Sequence, residues 1–92
     1  MVKIVEITTP TCGVCKMIAP MVAKVISLYD NSELEFKKYC YGEDAEADEY
    51  AEKYNIANVP VFFFYKGDEM VYRHNGAISL PQLKNKINEL KQ

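Results

Sequence analysis

The chain has 92 residues, enough for one domain around a single modest core and too few for two. Hydrophobic residues make up 49% and charged residues 26%, a globular balance that excludes a disordered, collagen-like or low-complexity chain. With 11 basic and 13 acidic side chains the net charge is −2, which argues against nucleic acid as a partner, since phosphate binding needs a concentrated basic face.

Val2 to Thr8 is β-branched and mostly apolar, so a strand is expected there. Thr9-Pro10-Thr11 breaks it. A helix is expected from near Cys12 to about Tyr29, where Val14, Ile18, Met21, Val22, Val25 and Tyr29 recur at helical spacing as one inward face. Pro20 lies inside that pattern and should kink the helix. Asp30-Asn31-Ser32 ends it, and Leu34 to Cys40 reads as a second strand. The acidic run from Gly42 to Asp48 suits the positive end of a helix reaching about Tyr54, with Ala47, Tyr50, Ala51 and Tyr54 inward; the acids themselves read as a solvated helix start. Val59-Pro60 opens the most apolar stretch, Val61 to Tyr65, expected to be a strand covered on both faces, with Phe62-Phe63-Phe64 in the core. A turn at Lys66-Gly67-Asp68 leads to a hairpin partner, Met70 to His74. Ser79, with Gln82 three residues on, forms a capping box for a last helix, whose inward stripe is Leu80, Leu83, Ile87 and Leu90. The order βαβ, α, ββα predicts one α/β domain over residues 1–92: a four-stranded mixed sheet with helices on both faces.

No apolar run approaches the ~20 residues of a membrane-spanning helix. The first ten residues lack an apolar stretch with a small-residue cleavage site, so no secretory signal, no membrane contact and a cytoplasmic location are expected. Three cysteines, Cys12, Cys15 and Cys40, are too few for a disulfide framework. Cys12-Gly13-Val14-Cys15 sits where a strand hands over to a helix, and unpaired N–H groups at a helix start favour a thiolate. Cys12, at the exposed start, is expected to attack a target disulfide; Cys15, one turn on, to attack the resulting mixed disulfide and release the product. Gly13 leaves access to the sulfur open. Zinc needs four ligands, or three and a water. The chain offers only Cys40 and His74 besides the pair, so no metal is expected within one chain, although a cluster shared between two chains stays open. Cys40 reads as a part-buried free thiol and His74 as a surface or packing residue. No glycine-rich phosphate loop is present.

Thr11-Cys12-Gly13-Val14-Cys15-Lys16, with Pro20 beyond it, resembles the W-C-G-P-C-K active site and kinked helix of the thioredoxin family. Asn58-Val59-Pro60 is similar to the family's cis-proline segment, and Asn75 to Ser79 to its glycine loop. The resemblance covers nearly the whole chain but lacks the family's usual first strand and helix, which makes the chain close in size to the glutaredoxins. It implies a thioredoxin-like fold and a thiol-disulfide oxidoreductase that reduces protein disulfides. It also implies recharging by a thioredoxin-reductase-like donor, electron transport in cell redox homeostasis, action as a monomer, and no cofactor beyond the reversible Cys12–Cys15 disulfide. Glu6, six residues before Cys12, matches a buried acid that assists proton transfer at the inner cysteine, and Lys38 matches a lysine beside that acid. The apolar strand around Glu6 independently predicts its burial and a raised pKa. By the same resemblance Thr11, Gly13, Val14, Val59, Pro60 and Gly76 contact substrate, and a cis Pro60 leaves the Val59 backbone free to pair with an extended segment and blocks a metal from the two sulfurs.

Two departures bear on specificity: Thr11 stands for the family's tryptophan, and Val14 for its active-site proline, which restores an N–H near the attacking sulfur and is expected to make a weaker reductant. Two other readings compete. A glutathione-dependent, glutaredoxin-like enzyme fits the size, but Asn58 and Ala77-Ile78-Ser79 depart from that pattern. A non-catalytic binding subunit would use the surface around Cys12, Val59 and Gly76.

Overall fold

The computed structural model describes all 92 residues. Strand β1 (Val2–Thr8) leads to helix α1 (Gly13–Ile26), strand β2 (Leu34–Cys40) and helix α2 (Ala45–Lys53). Strands β3 (Val61–Lys66) and β4 (Glu69–Asn75) form a hairpin, and helix α3 (Leu80–Lys91) closes the chain. The four-stranded sheet runs β2-β1-β3-β4. β1 is parallel to β2 and antiparallel to β3, which pairs antiparallel with β4. The expected mixed α/β architecture is thus present, with every predicted strand and helix.

The residues that form the two central strands explain their position. β3 buries Val61 to Phe64 without interruption, as a strand covered on both sides requires, and β1 is mostly apolar on both faces, with Lys3 and Glu6 the charged exceptions. The alternation of side chains divides them between two cores. Val2, Ile4, Phe62 and Phe64 pack with Val22 and Val25 of α1 and Leu83 and Ile87 of α3. Val5, Ile7, Val61 and Phe63 point the other way, onto Ala47, Tyr50 and Tyr54. Each fully buried phenylalanine contributes about 1.5–3 kcal/mol relative to exposure. The edge strands β2 and β4 carry the charged and half-exposed residues.

Several local expectations change in the structure. α1 ends at Ile26 rather than near Tyr29. The Ser27 hydroxyl donates to the Lys24 carbonyl at 2.6 Å, the acceptor that the next helical N–H would use, and Leu28 and Tyr29 make tighter bonds to Val25 and Ile26. The helix continues through Pro20, which removes only the donor to the Lys16 carbonyl. Val14, expected inward, is 44% exposed, and Cys15 takes the buried position of the first turn. Leu80, expected in the inward stripe of α3, faces outward at 39% exposure. Ile78 is buried in its place. It precedes the Ser79 cap and shares a core with Leu83, a hydrophobic staple outside the capping box, which itself forms as read. No helix is long and apolar enough to cross a membrane.

Candidate active site

The site lies beyond the carboxyl end of β1, the end at which ligands bind in α/β sheets. After Thr8 the chain turns through Thr9-Pro10-Thr11, with the Cys12 N–H donating to the Thr9 carbonyl at 3.2 Å. Cys12 has extended backbone angles (φ −78°, ψ 101°) and caps α1: its Sγ accepts the Cys15 N–H at 3.1 Å. A sulfur in this position meets a free donor of the first turn and the positive end of the helix. Cys12 and Cys15 form a disulfide across 5.3 Å between their Cα atoms. Cys12, expected at an exposed start, is 9% exposed, and Cys15 is 4% exposed. The outer-inner order holds, but access to Cys12 is narrow. The donor to its sulfur is Cys15, not Val14, whose restored N–H makes no bond to the sulfur.

Val59 lines the same cleft as Cys12; the Val59–Pro60 peptide is cis and Pro60 is buried. The Pro60 carbonyl accepts the Gly76 N–H at 2.7 Å, which ties the Gly76 turn to the start of β3. Gly76 adopts φ 91°, a conformation that glycine reaches without a Cβ penalty. Val59 makes no backbone hydrogen bond within the chain, so its N–H and carbonyl are available to an incoming strand. His74 makes a 2.9 Å contact with the Ala77 carbonyl in the same turn, a packing role.

Glu6 is 1% exposed and its Oε2 has no partner. It faces the core shared by α1 and α3, on the same side of β1 as Val2 and Ile4. Burial pushes its pKa from 4.5 up to about 7, opposed by the charge of Lys38, its register partner on β2. A carboxylate so tuned exchanges a proton near neutral pH. Cys40 is a free, half-buried thiol whose N–H donates to Asp44 at 2.8 Å. No group of three or more His, Cys, Asp or Glu side chains is arranged to hold a metal ion.

Thr11, Cys12, Gly13, Val14 and Val59 line one open cleft of about 910 Å³. Pro60 follows Val59 and is hydrogen-bonded to Gly76, while Glu6 and Lys38 do not line the cleft: Glu6 is on the opposite face of β1 from the cleft-lining Ile7. Part of the cleft escaped the sequence reading: Tyr41, just after β2, and Asp48, Ala51 and Glu52 of α2 line it together with Cys12. The one available signal was the spacing of Asp48 and Glu52 on either side of the inward Ala51.

A cysteine pair joined at a helix start and open on one side to a cleft has the arrangement that thiol-disulfide exchange uses. The family model described as Thioredoxin matches residues 1–89, and the chain belongs to the thioredoxin family. It is 36% identical over 74 residues to thioredoxin-2 of Saccharomyces cerevisiae, covering 80% of this chain and 66% of that protein. It is 35% identical over 75 residues to NADPH-dependent thioredoxin reductase 3 of Arabidopsis thaliana, covering 82% of this chain and 13% of that one. The chain therefore spans less than two thirds of either relative. Among solved structures, reduced Schistosoma mansoni thioredoxin pre-protein matches with a TM-score of 0.78 at 31% identity, covering 97% of this chain and 78% of that one.

Proposed function

We propose that the chain is a protein-disulfide reductase working by dithiol exchange. The observation that carries this reading is the Cys12–Cys15 disulfide at the first turn of α1, with the outer sulfur on the Cys15 N–H and beside an open cleft. In the reduced protein the Cys12 thiolate attacks one sulfur of a target disulfide. A Cys12–substrate mixed disulfide forms, and the other substrate sulfur leaves as a thiolate. Cys15 then loses its proton and attacks Cys12 Sγ. The Cys12–Cys15 disulfide forms, the second substrate thiolate leaves, and two electrons have passed to the substrate. Glu6 receives the Cys15 proton, for which a pKa of about 7 is well matched, and Lys38 holds that pKa from rising further. Val59 pairs its free backbone with the substrate segment, while Thr11, Gly13, Val14, Pro60 and Gly76 shape its seat.

The disulfide itself is the redox group, and no further cofactor enters the cycle. A dithiol donor must reduce it again. A thioredoxin-reductase-like flavin or dithiol enzyme is proposed, a reading supported by the match to a reductase that contains a similar segment. The reductive direction suits the reducing cytoplasm. The test is a trap. Reduced Cys15→Ser mixed with a disulfide-bearing protein should accumulate a covalent adduct that dithiothreitol releases, and Cys12→Ser should form none. An adduct through Cys40, surviving in Cys12→Ser, would overturn the assignment of the nucleophile.

A further inference from the structure

The cleft beside Cys12 has a chemical bias. On one side are the apolar and small residues of the active-site turn and the Val59 segment. On the other, α2 presents Asp48 and Glu52 one helical turn apart, and none of the residues lining the cleft is Lys, Arg or His. Neither carboxylate belongs to an ion pair. Asp48 Oδ1 accepts only the Gly42 N–H at 3.2 Å, and Glu52 accepts no hydrogen bond from the chain. Both side chains are exposed, and Asp48 Oδ2 and both Glu52 carboxylate oxygens accept no bond from the chain, so a ligand reaches them without displacing an internal partner. The reactive disulfide and the unpaired Val59 backbone lie in the same cleft, so a polypeptide presenting its own disulfide to Cys12 must lay its flanking residues against this wall.

Resting on the reading of the chain as a protein-disulfide reductase, we infer that Asp48 and Glu52 select its substrate class: target disulfides flanked by a Lys or Arg side chain. The complementarity is of charge and shape. Two carboxylates a turn apart match a guanidinium or ammonium group, and an acidic flank would meet two like charges with no cation lining the cleft. Such partly exposed charges act chiefly on the encounter rate, and salt screens them.

The test uses three synthetic peptides with the same disulfide, flanked by Lys, Gln or Glu, and the reduced protein in stopped flow. At about 20 mM salt the second-order rate constants should fall in the order Lys, Gln, Glu, with ~10-fold between the ends. At about 500 mM salt that ratio should shrink towards one. The variant D48N/E52Q should collapse the ratio at low salt. The control E46Q/E49Q removes the same charge from α2 outside the cleft and should keep it. Equal rates for the three peptides would overturn the selectivity while leaving the reductase intact. A ratio that survives D48N/E52Q, or is lost equally in both variants, would overturn the assignment to these two residues. No reaction with any peptide would overturn the reductase reading and the selectivity with it.

Discussion

Replacing Glu6 with Gln tests how the interior beneath the site is built. The carboxyl is 1% exposed with an unpartnered Oε2, and burial raises its pKa from 4.5 to about 7. Between those values the folded protein holds a proton that the unfolded chain has released, so stability falls as pH rises through the interval. Below it Glu6 costs nothing by ionisation. Above it the cost is constant, about 3 kcal/mol at ~1.36 kcal/mol per pH unit. Gln has the same shape and does not ionise. The stability gap between Glu6→Gln and wild type should therefore be lowest near about pH 4 and grow by about 3 kcal/mol by about pH 8. In a domain of this size that is a difference of ~12–24 °C in Tm. Urea unfolding of the oxidised proteins across this range measures the gap directly. Taking the difference cancels groups common to both, such as Glu33, whose carboxyl a hydrogen bond from Lys91 holds low and which acts in the opposite sense. A gap that is the same at both ends of the range would refute the buried, proton-holding Glu6.

Three other outcomes follow from packing and capping. Ser79→Ala removes the oxygen that accepts the Gln82 N–H at 3.2 Å and should cost ~1 kcal/mol in urea unfolding, whereas Ser79→Asp should retain most of it. Ile87→Ala leaves a hole in the fully buried α1–α3 core and should cost about 2–5 kcal/mol in the same measurement. Tyr65→Phe breaks the 2.6 Å hydroxyl pair with Tyr50 at a cost of about 1 kcal/mol. In a spectrophotometric titration it should also remove one of the two tyrosines, Tyr50 and Tyr65, whose ionisation burial pushes up.

The order of elements was legible because the apolar period changes cleanly along the chain, from continuous in Val61 to Phe64 to helical in Leu83, Ile87 and Leu90. The dithiol was legible because its chemistry sits within four residues, and Glu6 because a lone acid interrupts an apolar strand. What escaped was decided by local competition or by tertiary approach. The Ser27 hydroxyl stopped α1 a turn early, and Ile78 took the packing position read for Leu80. The buried place at the start of α1 went to Cys15, so Val14 faces the cleft. The acidic wall was invisible because Asp48 and Glu52 lie more than thirty residues beyond Cys12. On their own they read as the solvated face of a short helix, and only the folding of α2 over the sheet brings them to the cleft that Cys12 lines.

The central claim is that Cys12 carries electrons to protein disulfides. The most direct measurement is the reduction of a generic protein disulfide with dithiothreitol as donor, for wild type, Cys12→Ser and the donor alone. The account predicts a rate well above the donor alone for wild type and none above it for Cys12→Ser. Equal rates in all three would contradict it and leave a domain that binds at this cleft without turning over.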